Sequence, residues 1–257
     1  MSETPRLHAL ETGGGTKPPL VFLHGFDGRA EAFDAVAASL AGEGRRCLAF
    51  DLPGHGRSAD YPGFGPPKTA ARAVLAELQR RDIARAHLVG HSMGGAVGCL
   101  AALFEPGRVA SLTLLAPGGF GPDIGLDPIR AAMEAASDDE LRAALGRMTA
   151  PGFAVPPGAA RGNSWPEGRA AIRAIFDLLF GSGGQGVLPL AAIAETGRPI
   201  EVLWGEADMV TPVRQGDDLP PPFAVTRLPG VGHMLMLEAP AETLAAIRRA
   251  VARSEAD

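Results

Sequence analysis

Apolar residues in this chain form two alternating patterns. Short unbroken runs, Leu20-Val21-Phe22-Leu23, Cys47-Leu48-Ala49-Phe50 and Leu112 to Leu115, predict strands buried on both faces of a sheet. Between them, Phe33, Val36, Ala37 and Leu40, and later Ala71, Val74, Leu75 and Leu78, recur at i, i+3, i+4 and i+7, the spacing of one helix face. Leu88-Val89 adds another strand, and the small-residue segment from Met93 to Phe104 another helix. Ahead of these, Arg6 to Thr12 alternates apolar and polar positions and is closed by Gly13-Gly14-Gly15, which predicts an edge strand and a turn. Strand and helix in alternation imply a mostly parallel sheet covered by helices on both faces.

From Gly118 to about Thr196 helical segments follow one another without a strand between them. Ser137-Asp138-Asp139-Glu140 is a capping box that opens a helix with the stripe Leu141, Ala144, Leu145 and Met148. A second helix carries Ile172, Ile175, Phe176 and Leu179, and the proline-rich stretch from Pro151 to Gly158 separates the two. This pattern predicts a helical cap, residues 118–196, inserted into a core made of residues 1–117 and 197–257. Gly181 to Gly186 follows a helix rather than a strand, so it is expected to be the exit from the cap and not a dinucleotide loop. The sheet resumes with Ile200 to Trp204 and again with Ala224 to Leu228. The last helix starts at Pro240, with Glu242 in its first turn and Arg248, Arg249 and Arg253 toward its end, both favourable to the helix dipole.

At 257 residues and 46% hydrophobic the chain can bury its core as one domain. Cys47 and Cys99 each lie inside apolar runs and are expected to be small buried hydrophobes rather than a disulfide or metal ligands. The net charge of −5 is spread without a basic block, which argues against a nucleic-acid partner. No run reaches membrane-spanning length, and Met1 to Arg6 has no apolar signal region, so a cytoplasmic protein is expected. The composition says little beyond this; the small-molecule substrate expected here rests on the candidate residues.

The candidate chemistry centres on Gly90-His91-Ser92-Met93-Gly94, where a predicted strand runs directly into a predicted helix. A serine at such a junction sits on a sharp turn that lifts its hydroxyl above the sheet, and the flanking glycines let strand and helix pass closely. A hydroxyl is a weak nucleophile at neutral pH, so Ser92 needs a base and the base needs an orienting carboxylate. His233 and Asp208 each follow a predicted strand and should reach the same rim of a parallel sheet. Glu206 is the rival acid. Asp208 is preferred because its spacing to Thr211-Pro212 suits a turn that folds the carboxylate back. His24, His91 and Asp51 are expected to brace loops. An oxyanion would find two backbone donors, the N–H groups of Met93 and Phe26. Phe120, Met133, Phe153, Trp165, Met234 and Met236 are candidate walls for a small to medium apolar acyl group, while Phe176 and Leu179 lie on a helical stripe and are expected in the cap's own core. This chemistry calls for no cofactor.

Five blocks together resemble the α/β-hydrolase family: Leu23-His24-Gly25-Phe26, Asp51 to Ser58, Gly90 to Gly95, Trp204 to Asp208 and Gly232-His233-Met234. The resemblance implies an eight-stranded sheet and a Ser-His-Asp hydrolase. The entry to the cap, Leu115 to Pro122, is similar to carbon–carbon bond hydrolases of aromatic degradation and to acyltransferase components of acetoin dehydrogenase systems. Met234 stands where those carbon–carbon hydrolases usually carry tryptophan. The leading expectation is therefore hydrolysis of carboxylic esters or related acyl bonds. Acyl transfer, carbon–carbon bond hydrolysis and a perhydrolase or haloperoxidase side reaction are alternatives on the same residues, and a ligand-binding receptor is the non-enzymatic one. Oligomeric state is left open.

Overall fold

Seven strands form one sheet: β1 (Ala9–Thr12), β2 (Leu20–Leu23), β3 (Cys47–Phe50), β4 (Ala86–His91), β5 (Val109–Leu115), β6 (Ile200–Gly205) and β7 (Phe223–Leu228). Their spatial order is β1-β3-β2-β4-β5-β6-β7; β1 runs antiparallel to β3 and every other pair is parallel. The computed structural model describes residues 5–160 and 168–256. Every residue of β2 to β6 is buried, as unbroken apolar runs require when helices cover both faces.

Nine α-helices are present among the described residues. They are α1 (Asp34–Gly42), α2 (Pro67–Arg80), α3 (Met93–Phe104), α4 (Leu126–Glu134), α5 (Asp138–Gly146), α6 (Arg169–Phe180), α7 (Leu190–Ala194), α8 (Leu235–Glu238) and α9 (Pro240–Ala256). Helices α1 and α9 pack on one another and on β3, β5 and β6, whereas α2 packs on α3, which lies against β2, β4 and β5. Glu255 near the end of α9 pairs with Arg45, two residues before β3, at 2.9 Å and with Lys17, ahead of β2, at 3.2 Å. That contact sits at the rim where the parallel strands begin.

Helices α4, α5 and α6 share a second apolar cluster of their own, built from Ile129, Leu141, Leu145, Ile172 and Phe176 among others. It is the stretch expected as a cap. Helix α7, inside the same expected span, packs instead on α3, with Ile193 fully buried in the main core.

One expectation needs correction. The family resemblance implied eight strands, and among the described residues there are seven. The N-terminal segment contributes a single strand before Gly13-Gly14-Gly15 turns the chain toward β2, which agrees with the seven apolar or alternating runs visible in the sequence.

Candidate active site

Strand β4 ends at His91 and α3 begins at Met93, so Ser92 alone makes the turn, with φ +51° and ψ −117°. A non-glycine residue in that region is strained by roughly 1–3 kcal/mol and persists only where its surroundings fix it. Here they do: the Ser92 N–H donates to Leu115 O at 2.9 Å, and Ser92 O accepts from Gly95 N and Gly118 N, both at 2.9 Å. The flanking glycines are required by contact. A Cβ on Gly94 would lie 2.0 Å from Leu23 O and 2.6 Å from His24 O, and one on Gly90 would lie 2.3 Å from Gly94 O. Gly94→Ala is therefore expected to cost about 3 kcal/mol. Its Tm should fall by roughly 6–12 °C at 2–4 °C per kcal/mol for a chain of this size; a melt within a degree of wild type would contradict this packing.

His233 and Asp208 arrive from the neighbouring strand ends. Residues 205–211 turn after β6 so that Asp208 Oδ1 accepts from the N–H groups of Val210 (2.8 Å) and Thr211 (2.9 Å). Asp208 Oδ2 accepts from His233 Nδ1 at 2.8 Å and from the Thr211 hydroxyl at 2.9 Å. Burial works to raise the Asp208 carboxyl, but the imidazole of His233 and these hydrogen bonds outweigh it and hold the group below the usual carboxylate range. The rival Glu206 is exposed, with its carboxylate away from this network.

The remaining histidines at the rim are structural. Leu52 N–H donates to His24 Nε2 at 2.9 Å, while His24 Nδ1 donates to Gly25 O at 2.7 Å. His91 Nε2 donates to the carbonyl of His233 at 2.9 Å. Burial lowers His24 to about 4 and His91 to about 3, so both are neutral at pH 7. Asp51 accepts from Ala30 N at 2.8 Å and from Arg57 N at 2.9 Å, bracing the loop that follows β3.

Ser92, His233, Phe26 and Met93 all line one cavity of about 960 Å³ between the sheet and the α4–α6 layer. Met93 is the first residue of α3, where N–H groups have no helical partner. Phe26 lies in a turn closed by Gly28 N to Gly25 O (3.1 Å), and a Cβ on Gly25 would stand only 3.2 Å from Ser92 Cβ. The backbone of this turn therefore passes directly beside the serine.

The expected walls divide. Met234, Met236 and Leu179 line the cavity, and Leu179 also packs against the α4–α6 cluster, as expected of it. Phe120 instead packs edge-on against Trp204 (5.9 Å) and Phe223 (5.8 Å), continuing the sheet's core. Met133 is buried within the α4–α6 cluster, and half-buried Phe153 closes a turn onto Ala150 O at 3.1 Å. Phe176 lies in the α4–α6 cluster, edge-on to Phe180 (5.4 Å) and tilted against Phe26 (5.9 Å). Trp165 lies outside the described residues. In place of those aromatics, aliphatic side chains of α4 and α5 (Ile129, Leu141, Leu145) and Val210 face the cavity. Helical periodicity marks a buried face without saying whether a neighbour or a cavity lies beneath it.

Sequence reasoning did not single out Thr211 as a partner of Asp208, nor the carboxylate of Glu238. Glu238 accepts hydrogen bonds from Gly232 N, Met234 N and Ala150 N at 2.8, 3.0 and 2.7 Å. Thr211 stood in view within the turn; the tie from Glu238 to Ala150 could not be read locally, because the two lie 88 positions apart.

The model of the alpha/beta hydrolase family matches residues 20–247. Among curated proteins, the chain is 35% identical over 254 residues to the dihydrolipoyllysine-residue acetyltransferase component of an acetoin cleaving system from Pseudomonas putida, covering 91% of this chain and 63% of that protein. A 2-hydroxy-6-oxononadienedioate/2-hydroxy-6-oxononatrienedioate hydrolase from Cupriavidus pinatubonensis is 34% identical over 123 residues, 46% of this chain and 42% of that one. The chain thus spans less than two thirds of the length of these relatives. Among solved structures, a meta-cleavage product hydrolase from Pseudomonas fluorescens superposes with a TM-score of 0.84 at 19% identity, covering 98% of this chain and 95% of that one. That likeness concerns the fold. Since the family match runs from β2 into α9 and so takes in the strand ends that carry Ser92, Asp208 and His233, the chain belongs to the alpha/beta hydrolase family.

Proposed function

We propose that the chain is a serine hydrolase of carboxylic esters or related acyl compounds. The observation that carries this reading is the shared cavity of Ser92 and His233, with Asp208 held 2.8 Å from the far nitrogen of the imidazole. Bonded through Nδ1–H to Asp208, His233 has Nε2 free to take the Ser92 proton as Oγ attacks the carbonyl. The N–H groups of Phe26 and Met93 receive the oxyanion, each worth on the order of 3 kcal/mol. The imidazolium returns its proton to the leaving group, and water releases the acyl-enzyme by the same base. The substrate is a small molecule. An apolar cavity of about 960 Å³ suits an acyl arm of medium length.

p-Nitrophenyl esters of increasing chain length test this. kcat/KM is expected to rise by up to about fourfold per methylene, the equivalent of ~0.8 kcal/mol per buried CH₂, until the cavity is filled. A fluorophosphonate probe should label wild type and not Ser92→Ala. Turnover no greater than that of Ser92→Ala at every chain length would sink the proposal.

A second reading, acyl transfer to a thiol or alcohol, is supported by the 35% identity to the acetyltransferase component. It uses the same acyl-enzyme. Product analysis with an added thiol separates the two: diversion of the acyl group at millimolar acceptor favours transfer, and free acid alone favours hydrolysis.

A further inference from the structure

The segment that carries His233 is fastened through the N–H groups of residues 232–234 and the carbonyl of His233. Its own N–H donates to Met148 O, just past α5 in the cap, at 2.7 Å, and its carbonyl accepts from His91 Nε2 at 2.9 Å. The N–H groups on either side, Gly232 and Met234, converge on the single carboxylate of Glu238 at 2.8 and 3.0 Å. The same Oε2 that holds Gly232 also accepts the cap's Ala150 N–H at 2.7 Å. Three converging donors need a group that only accepts, which an ionised carboxylate supplies and an amide does not.

Contact reinforces the bonding. A Cβ on Gly232 would lie 2.6 Å from Ala150 N and 2.7 Å from Met148 O, so the cap backbone lies directly on the histidine segment. Cap residues 148–150 and core residues 232–234 are thus joined by two hydrogen-bonded routes, Met148 O to His233 N and Ala150 N through Glu238, with no side chain between the two backbones at Gly232.

We propose that Glu238 is a positioning residue for His233: it locks the base's backbone and the cap segment Met148 to Ala150 into one body, so that the imidazole keeps its place only while this part of the cap is seated. Glu238 does not touch the reacting atoms. Its effect passes through the backbone of residues 232–234, and a displacement of about 1 Å at a catalytic group can cost on the order of 10²-fold in rate. The proposal rests on His233 being the base, and the experiment separates the two.

Glu238→Gln keeps the shape but places an NH₂ against one or more of the three N–H groups. With a p-nitrophenyl ester, Glu238→Gln is expected to lower kcat by about 10- to 100-fold with KM within about twofold of wild type. Amide hydrogen exchange, read by mass spectrometry, is expected to accelerate in the segments 148–150 and 232–234 together, while α3 and β4 keep wild-type protection. The exchange measurement stands even for a variant of low activity, and unchanged protection of α3 and β4 shows that the variant is folded. His233→Ala run in parallel tests the premise: if it keeps activity, the assignment of the base fails. If His233→Ala is inactive while Glu238→Gln keeps kcat within twofold, or exchange accelerates in only one of the two segments, the positioning role is overturned and the base stands.

Discussion

Ser92→Ala and His233→Ala are each expected to lower kcat for a p-nitrophenyl ester by about 10⁶-fold, and the double variant is expected to be no slower than either. In the proposed mechanism Ser92, His233 and Asp208 act as a unit, so the loss of one leaves the others without a task. Without Ser92 the base has no hydroxyl to deprotonate, and without His233 the hydroxyl keeps its proton. Asp208→Asn should cost less, about 10⁴-fold. The asparagine NH₂ in place of Oδ2 would face His233 Nδ1 and force the proton onto Nε2, where it blocks acceptance from Ser92. Its other partners, the N–H groups of Val210 and Thr211, can still bond the remaining oxygen, so the turn should survive. Residual turnover in all four variants is expected from the Phe26 and Met93 N–H groups, which side-chain replacement leaves in place. Steady-state rates with fluorophosphonate-titrated wild type as the reference measure this. Additive losses in the double variant, or a Ser92→Ala loss below about 10²-fold, would point to a different nucleophile.

Acidification is expected to have the second large effect, on stability. Four histidines are buried and neutral: burial is the leading cause in each, and it lowers His24 and His87 to about 4 and His55 and His91 to about 3, from 6.5. In the unfolded chain they take up protons as pH falls through 6.5, while in the folded chain they do not until pH 3–4. The unfolded state therefore binds more protons throughout that window, and stability rises with pH across it. Between pH 7 and 5 each such histidine removes on the order of 2 kcal/mol. Asp27 works in the opposite direction. Burial raises it to about 6 against the pull of Arg169, so the folded state binds its proton first and gains on acidification. Asp34, which burial also raises, works the same way as Asp27; against four histidines these carboxyls leave a large net loss, comparable with the 5–15 kcal/mol by which domains are usually stable. Urea midpoints at pH 7, 6 and 5 should fall steeply. His87→Gln, beside Ser111 and remote from the cavity, should flatten the slope by about one proton. A midpoint unchanged from pH 7 to 5 would contradict the burial of neutral imidazoles.

Much of this molecule was legible in the sequence because the strands are short apolar runs and the candidate residues follow them directly. Ser92, Asp208 and His233 each lie one to five residues beyond a strand, and a parallel sheet brings such ends to one rim. The turn after β6 was legible too: the spacing from Asp208 to Thr211 suits a returning turn, and Thr211 presents its N–H to Asp208 there. The cavity wall was much less so. Phe120, read as a wall, packs on Trp204 and Phe223, and Leu141 and Leu145, read as helix core, also face the cavity. Apolar character records that a side chain leaves water, not whether protein or substrate replaces it. The eighth strand came from the family resemblance alone, and no eighth run of residues in this chain corresponds to it. Glu238 was hidden for another reason: Ala150, its partner across the cap, is 88 positions away.

The ion pairs of Glu255 with Arg45 and Lys17 have a practical side. They place the end of α9 at the rim where β2 and β3 begin, opposite the rim that carries Ser92 and the cavity. A bead or sensor surface coupled through the last turn of α9 would hold the molecule with the rim that carries Ser92 turned away from the support.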